Sequence, residues 1–181
     1  YFMLEAIKHN DVLLNYSRSF NVKGNDRFIS QFINLFDFER LEIFMKEHSL
    51  AGHNIIRVYI NTLRAYLYFD NDFYYDEFRK SLYENLGKLS SSDVHFLFGR
   101  IIGYCILKGR KSDKFVDHYE TEQFGHYKTL LENKYYETGS NKFMPTDLFR
   151  NILLQAAKLG ELEWMENFIE DYGRLIHPEK R

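Results

Sequence analysis

Proline occurs only at Pro145 and Pro178 in a chain of 181 residues, and the ten glycines are scattered singly. Proline removes a backbone donor and clashes with the preceding helical turn, while short strands need frequent turn residues. A chain this poor in punctuation is suited to long helices and unsuited to many hairpins. The apolar residues agree. Ile56, Ile60, Leu63 and Leu67 recur at three- and four-residue steps, Phe98, Ile101, Cys105 and Leu107 begin a second stripe, and Leu148, Ile152 and Ala156 form a third. Strict alternation over strand length is hard to find. The expected fold class is all-α.

Capping chemistry sets the expected boundaries. Ser91 or Ser92 before Asp93, Ser112 before Asp113, and Thr146 with Asp147 beside Pro145 read as helix starts. Gly109 and Gly160 follow apolar stretches and are expected to supply the left-handed residue that closes each helix. The pattern predicts nine helices, near 3–17, 25–36, 39–48, 53–69, 73–88, 93–108, 113–137, 146–159 and 161–175, with one longer loop over 137–144.

Composition narrows the function classes. Apolar residues make up 45% and aromatics 18%, which is ample material for a core and excludes a disordered tail. The formal charge is -2, so no global basic field exists to hold nucleic acid or an anionic membrane. Uncharged runs fall far short of the roughly 20 apolar residues of a membrane span. Ile101–Leu107, for example, is closed by Arg100 and Lys108. Cys105 is the only cysteine, so a disulfide framework and a cysteine-based zinc knuckle are excluded. With no signal-like segment, the lone cysteine points to the cytoplasm.

The chain also repeats itself. With Phe38, Phe73, Lys111 and Leu162 in one register, the position ten residues earlier holds Phe28, Leu63, Ile101 and Ile152, and six earlier holds Phe32, Leu67, Cys105 and Ala156. Both columns are apolar throughout, as buried positions of a repeated first helix should be. The turn column reads Phe36, Asn71, Gly109 and Gly160. The units are spaced 35, 38 and 51 residues apart, the last holding 13 extra residues assigned to an elongated helix and the loop after it. The chain opens at Tyr1 rather than methionine, in what reads as the second helix of an incomplete unit. An array cut this way exposes apolar ends, so the sequence is expected to be a piece of a longer protein.

Two helices per unit at this spacing resemble the tetratricopeptide-like (TPR-like) helical repeats. The clearest stretch is Lys158-Leu159-Gly160-Glu161-Leu162-Glu163-Trp164-Met165-Glu166-Asn167-Phe168-Ile169, ending at His177-Pro178. It looks like the family's Leu-Gly turn, the start of the second helix and the proline after it. The family's small residues at the helix crossing are replaced by Leu41, Asp76, Lys114 and Met165, and the first-helix tryptophan is absent. The resemblance implies a right-handed α-α superhelix, a solenoid of about four helical pairs plus a leading helix, with units near 25–52, 53–91, 92–144 and 145–178 forming one repeat domain over 1–181. It implies a concave face where partners dock, and no catalytic residues.

Candidate chemistry is sparse. His118, Glu122 and His126 stand at i, i+4 and i+8, types that suit zinc, but two turns separate the histidines by about 12 Å, so one ion does not bridge them. They read as a solvated polar face. Cys105 sits in an apolar column and reads as a packing cysteine rather than a nucleophile paired with His95 or His118. His9, His48, His53 and His177 lie near helix ends, facing the last carbonyls or solvent. No phosphate loop, nucleophile elbow or dinucleotide fingerprint occurs. No catalytic residue, cofactor, metal or small-molecule substrate is therefore expected. Lys108-Gly109-Arg110-Lys111 with Lys114 is the one dense basic cluster and reads as a solvated helix corner.

The polar face of the first helices is the remaining candidate. Arg57, Asn61 and Arg64 follow at i, i+4 and i+7, opposite the Ile56–Leu67 stripe; in the repeat register Arg57 aligns with His95 and Thr146, and Asn61 with Gly99 and Arg150. With Arg100 and Tyr68 they suit a mildly basic groove for a protein or an acidic peptide, and Tyr59, Tyr66 and Tyr104 are further aromatic anchors. The expected function is a non-enzymatic protein-protein interaction scaffold. The alternatives are a structural or regulatory module docked on another domain of the same chain and an RNA-binding repeat, against which the equivalent positions repeat no polar code.

Overall fold

The computed structural model describes residues 2–19, 31, 37–50, 52–111, 116–137 and 142–176. Among them are eight α-helices: α1 (Phe2–Ser19), α2 (Phe38–Glu47), α3 (His53–Leu67), α4 (Asp72–Asn85), α5 (Ser91–Lys111), α6 (Val116–Glu132), α7 (Thr146–Lys158) and α8 (Leu162–Tyr172). The described residues form no strand, only an isolated bridge between Met144 and Ile176. The all-α expectation holds. Of the helix expected over 25–36 only Gln31 is described, as helical; its Phe28 and Phe32, and the starts at Ser112 and Asp113, lie outside the described residues. Among the described residues no helix is long and apolar enough to cross a membrane. The chain divides into two compact units, residues 1–89 and 90–181.

In the first unit α3 is the centre, with α1, α2 and α4 packed against it. Its buried residues, Val58 through Leu63 with Ala65 and Tyr66, wrap most of the way round the helix because neighbours cover several sides. Each buried aromatic or Leu side chain contributes about 1.5–3 kcal/mol. Asp37 starts α2 by accepting from the Arg40 amide at 2.9 Å, and Asn71 starts α4 by accepting from that of Phe73 at 3.1 Å.

In the second unit α5 pairs with α6, α6 packs on α7, and α7 on α8. Ser90 begins α5: its hydroxyl accepts from the Asp93 amide at 3.2 Å while donating to the Asp93 carboxylate at 2.6 Å. The cap therefore lies one residue before the expected serines. A run of rings joins α6, α7 and α8, with Phe124 edge-on to Trp164, Trp164 stacked on Phe168, and Phe168 stacked on Phe149 and Tyr172.

Gly160 closes α7 in the left-handed conformation, with φ of 75°. Gly109 does not close α5, which runs on to Lys111. The repeat columns are otherwise interior: Leu63, Ile101, Ile152, Cys105 and Ala156 are buried, and Leu67 is half-buried.

Candidate functional site

The predicted polar stripe is present but already engaged. On α3, Arg57 lies 3.9 Å from the Glu77 carboxylate of α4, and Arg64 lies 3.3 Å from the Glu42 carboxylate of α2. Asn61 is buried and its amide donates to the Glu77 carbonyl at 3.4 Å. These three side chains therefore tie α3 to its neighbours, and the carboxylates offset the basic character expected of the groove. Tyr68 is 43% exposed and stacks on Tyr74.

The other candidates belong to the second unit. His95 Nδ1 donates to the Tyr135 carbonyl at 3.1 Å, pinning the start of α5 to the end of the α6 segment. Arg100 is buried, and Arg150 is exposed with the Asp147 carboxylate 3.4 Å away. Tyr59, Tyr66 and Tyr104 are core residues, so of the four tyrosines only Tyr68 is open to a partner.

The remaining chemistry divides between expectation and surprise. Cys105 is buried, as its column predicts. His48 and His53 face backbone carbonyls, of Phe44 and Leu50, at 2.9 and 3.2 Å; His177 lies outside the described residues. His118 is exposed, but His126 is only 3% exposed and so leaves the solvated face assigned to it. Lys108 likewise leaves the solvated corner: it is buried, its ammonium over the rings of Tyr104 and Tyr119. Among the described residues no three His, Cys, Asp or Glu side chains converge where one metal ion would sit.

A concave site lies elsewhere in the second unit, in a cleft of about 300 Å³ bounded by α5, α6 and α7. Three helical stripes line it: Cys105, Ile106, Gly109 and Arg110 from α5, Glu120, Gln123 and Tyr127 from α6, and Asn151, Leu154, Gln155 and Lys158 from α7. Each set recurs one helical turn apart, Cys105 and Ile106 with Gly109 and Arg110, Glu120 with Gln123 and Tyr127, Asn151 with Leu154, Gln155 and Lys158, so each is one face of one helix. Glu120, Gln123 and Gln155 are buried. Gln155 Nε2 donates to the Glu120 carbonyl at 3.1 Å, Gln123 Nε2 to the Tyr127 hydroxyl at 3.4 Å, and the Lys158 ammonium pairs with the Glu120 carboxylate. Burial raises the Tyr127 pKa above the usual tyrosine value, the Gln123 hydrogen bond opposing it in part.

Sequence reasoning missed this cleft. Its signal is faint: Gln155 stands beside Ala156 on the buried side of α7, a polar residue where an apolar one is expected. Set against protein-family models, curated proteins and solved structures, the chain matches none of them.

Proposed function

We propose that the chain is a non-enzymatic protein-interaction module, a TPR-like helical array that holds a peptide segment of a partner protein or of another domain of its own chain. The observation that carries this reading is the cleft between α5, α6 and α7, which combines a preformed hollow, apolar flanks at Ile106 and Leu154, and a few buried polar groups. Concave sites of this composition are where ligands are held. Leu154, 62% exposed, is an apolar surface that a partner would remove from water.

A non-catalytic role draws support from how the reactive groups are used. Cys105 packs in the core, and Nδ1 of each of His48, His53 and His95 meets a backbone carbonyl. In this reading the chain works in the cytoplasm, where a lone buried thiol stays reduced.

Selection of random short peptides on the immobilised chain, followed by calorimetry of the enriched sequences, tests the proposal. One-to-one binding with Kd on the order of 1–100 μM is expected. Selection that returns nothing above the bare matrix removes the interaction reading in its peptide form.

A further inference from the structure

Resting on the interaction reading above, we propose that the α5–α6–α7 cleft binds an internal, extended peptide segment bearing an aspartate or glutamate side chain. The α7 wall supplies the register. Asn151 and Gln155 stand one turn apart on the same face, a rise of about 6 Å. Alternate residues of an extended chain repeat at about 6.7 Å, so two side-chain amides at this spacing meet successive peptide groups facing one way.

The floor selects for backbone N–H groups. Gln155 and Gln123 are each 7% exposed, and each spends its NH₂ on a protein acceptor, the Glu120 carbonyl and the Tyr127 hydroxyl. Among the described residues neither amide oxygen has a hydrogen-bond donor, and both residues line the cleft. A buried acceptor left unsatisfied is costly, and a peptide N–H supplies the missing partner.

The rim selects for a carboxylate. Arg110 is exposed and has no carboxylate partner among the described residues. Lys158 pairs with Glu120, yet its side chain is 57% exposed. Two cations against one carboxylate leave the lining with a positive balance, which attracts an acidic side chain and repels Lys or Arg. Acceptors below and cations above place the ligand's carboxylate at the mouth and its backbone inside. Gly109 leaves the α5 wall bare: a Cβ there would meet nothing within 4 Å.

Fluorescence anisotropy on the full chain tests the assignment. The probes are a labelled octapeptide of alternating Glu and Val, acetylated and amidated so that no terminal charge contributes, and its Gln and Lys counterparts. The Glu probe is expected to bind about tenfold tighter than the Gln probe, with the Lys probe weaker still. Arg110→Gln and Asn151→Ala, both at exposed positions, should each weaken the Glu probe about tenfold, and Gly109→Leu should abolish its binding by filling the cleft. Circular dichroism of each variant reports its fold. If Gly109→Leu unfolds the chain, the other two variants decide. No binding of the Glu probe, equal binding of the Lys probe, or indifference to these substitutions overturns the proposal. Selected peptides that still bind Gly109→Leu would keep the interaction module while removing this site.

Discussion

Gly109 and Gly160 occupy the same column of the repeat, yet only Gly160 adopts the left-handed conformation, with φ of 75°. Gly109 lies inside α5 with open space where its Cβ would stand. An alanine at 109 should therefore stabilise the fold by about 0.5–1 kcal/mol through lost unfolded-state freedom. Gly160→Ala should destabilise it by about 1–2 kcal/mol, since an L side chain strains there. Urea unfolding followed by circular dichroism measures both, and shifts of the same sign would refute the distinction. Column alignment identifies Cys105 and Ala156 as interior because burial follows helical spacing. It does not separate the two glycines, because one glycine costs a helix only about 1 kcal/mol and packing overrides that. The tyrosines mislead for a related reason: the rings of Tyr59, Tyr66 and Tyr104 belong in the core, where spacing alone says nothing of whether a hydroxyl finds a partner.

Helix ends show what the chain writes plainly and what it hides. The end of α7 carries a Schellman closure, with Gly160 N–H donating to the Ala157 carbonyl at 3.1 Å and Glu161 N–H to that of Ala156 at 3.0 Å. The same pair of bonds closes α6, from Lys134 to Leu131 at 3.0 Å and from Tyr135 to Leu130 at 2.9 Å. Ser49 and Leu50 close α2 likewise, onto Lys46 and Met45 at 3.1 and 3.0 Å. Lys134 and Ser49 take positive φ, 56° and 48°, without being glycine. A reading that searches for glycine stops α7 correctly and lets α6 run to residue 137, five past its true end at Glu132. Lys134→Gly should therefore stabilise the chain by about 1 kcal/mol by relieving the left-handed strain. An unchanged urea midpoint would show that its neighbours already offset the strain.

At the scale of the molecule, the fold class is legible because periodicity is local, while the cleft is not, because it exists only where three helices meet. The Arg57–Asn61–Arg64 stripe is found from sequence since it lies on one helix, but the carboxylates that engage its arginines come from α2 and α4. The second unit offers a probe of its own packing. Burial is the main cause raising the pKa values of Tyr127, Tyr136 and Tyr172 above the usual 10.0. The unfolded chain releases these phenolic protons near pH 10, while the native chain holds them to higher pH. Above about pH 10 the unfolded state thus binds fewer protons than the native one, and stability falls until the native groups ionise in turn. Trp164, the only tryptophan, sits in the ring cluster of this unit and reports its unfolding. The urea midpoint read from Trp164 fluorescence should decline above about pH 10. Tyr127→Phe removes one titrating group and the acceptor for Gln123, so it lowers the midpoint slightly below about pH 10 and flattens the alkaline decline above it. The slope, rather than the level, measures the phenol. A Tyr127→Phe variant that declines as steeply as the parent would mean that Tyr127 is not held protonated by its burial.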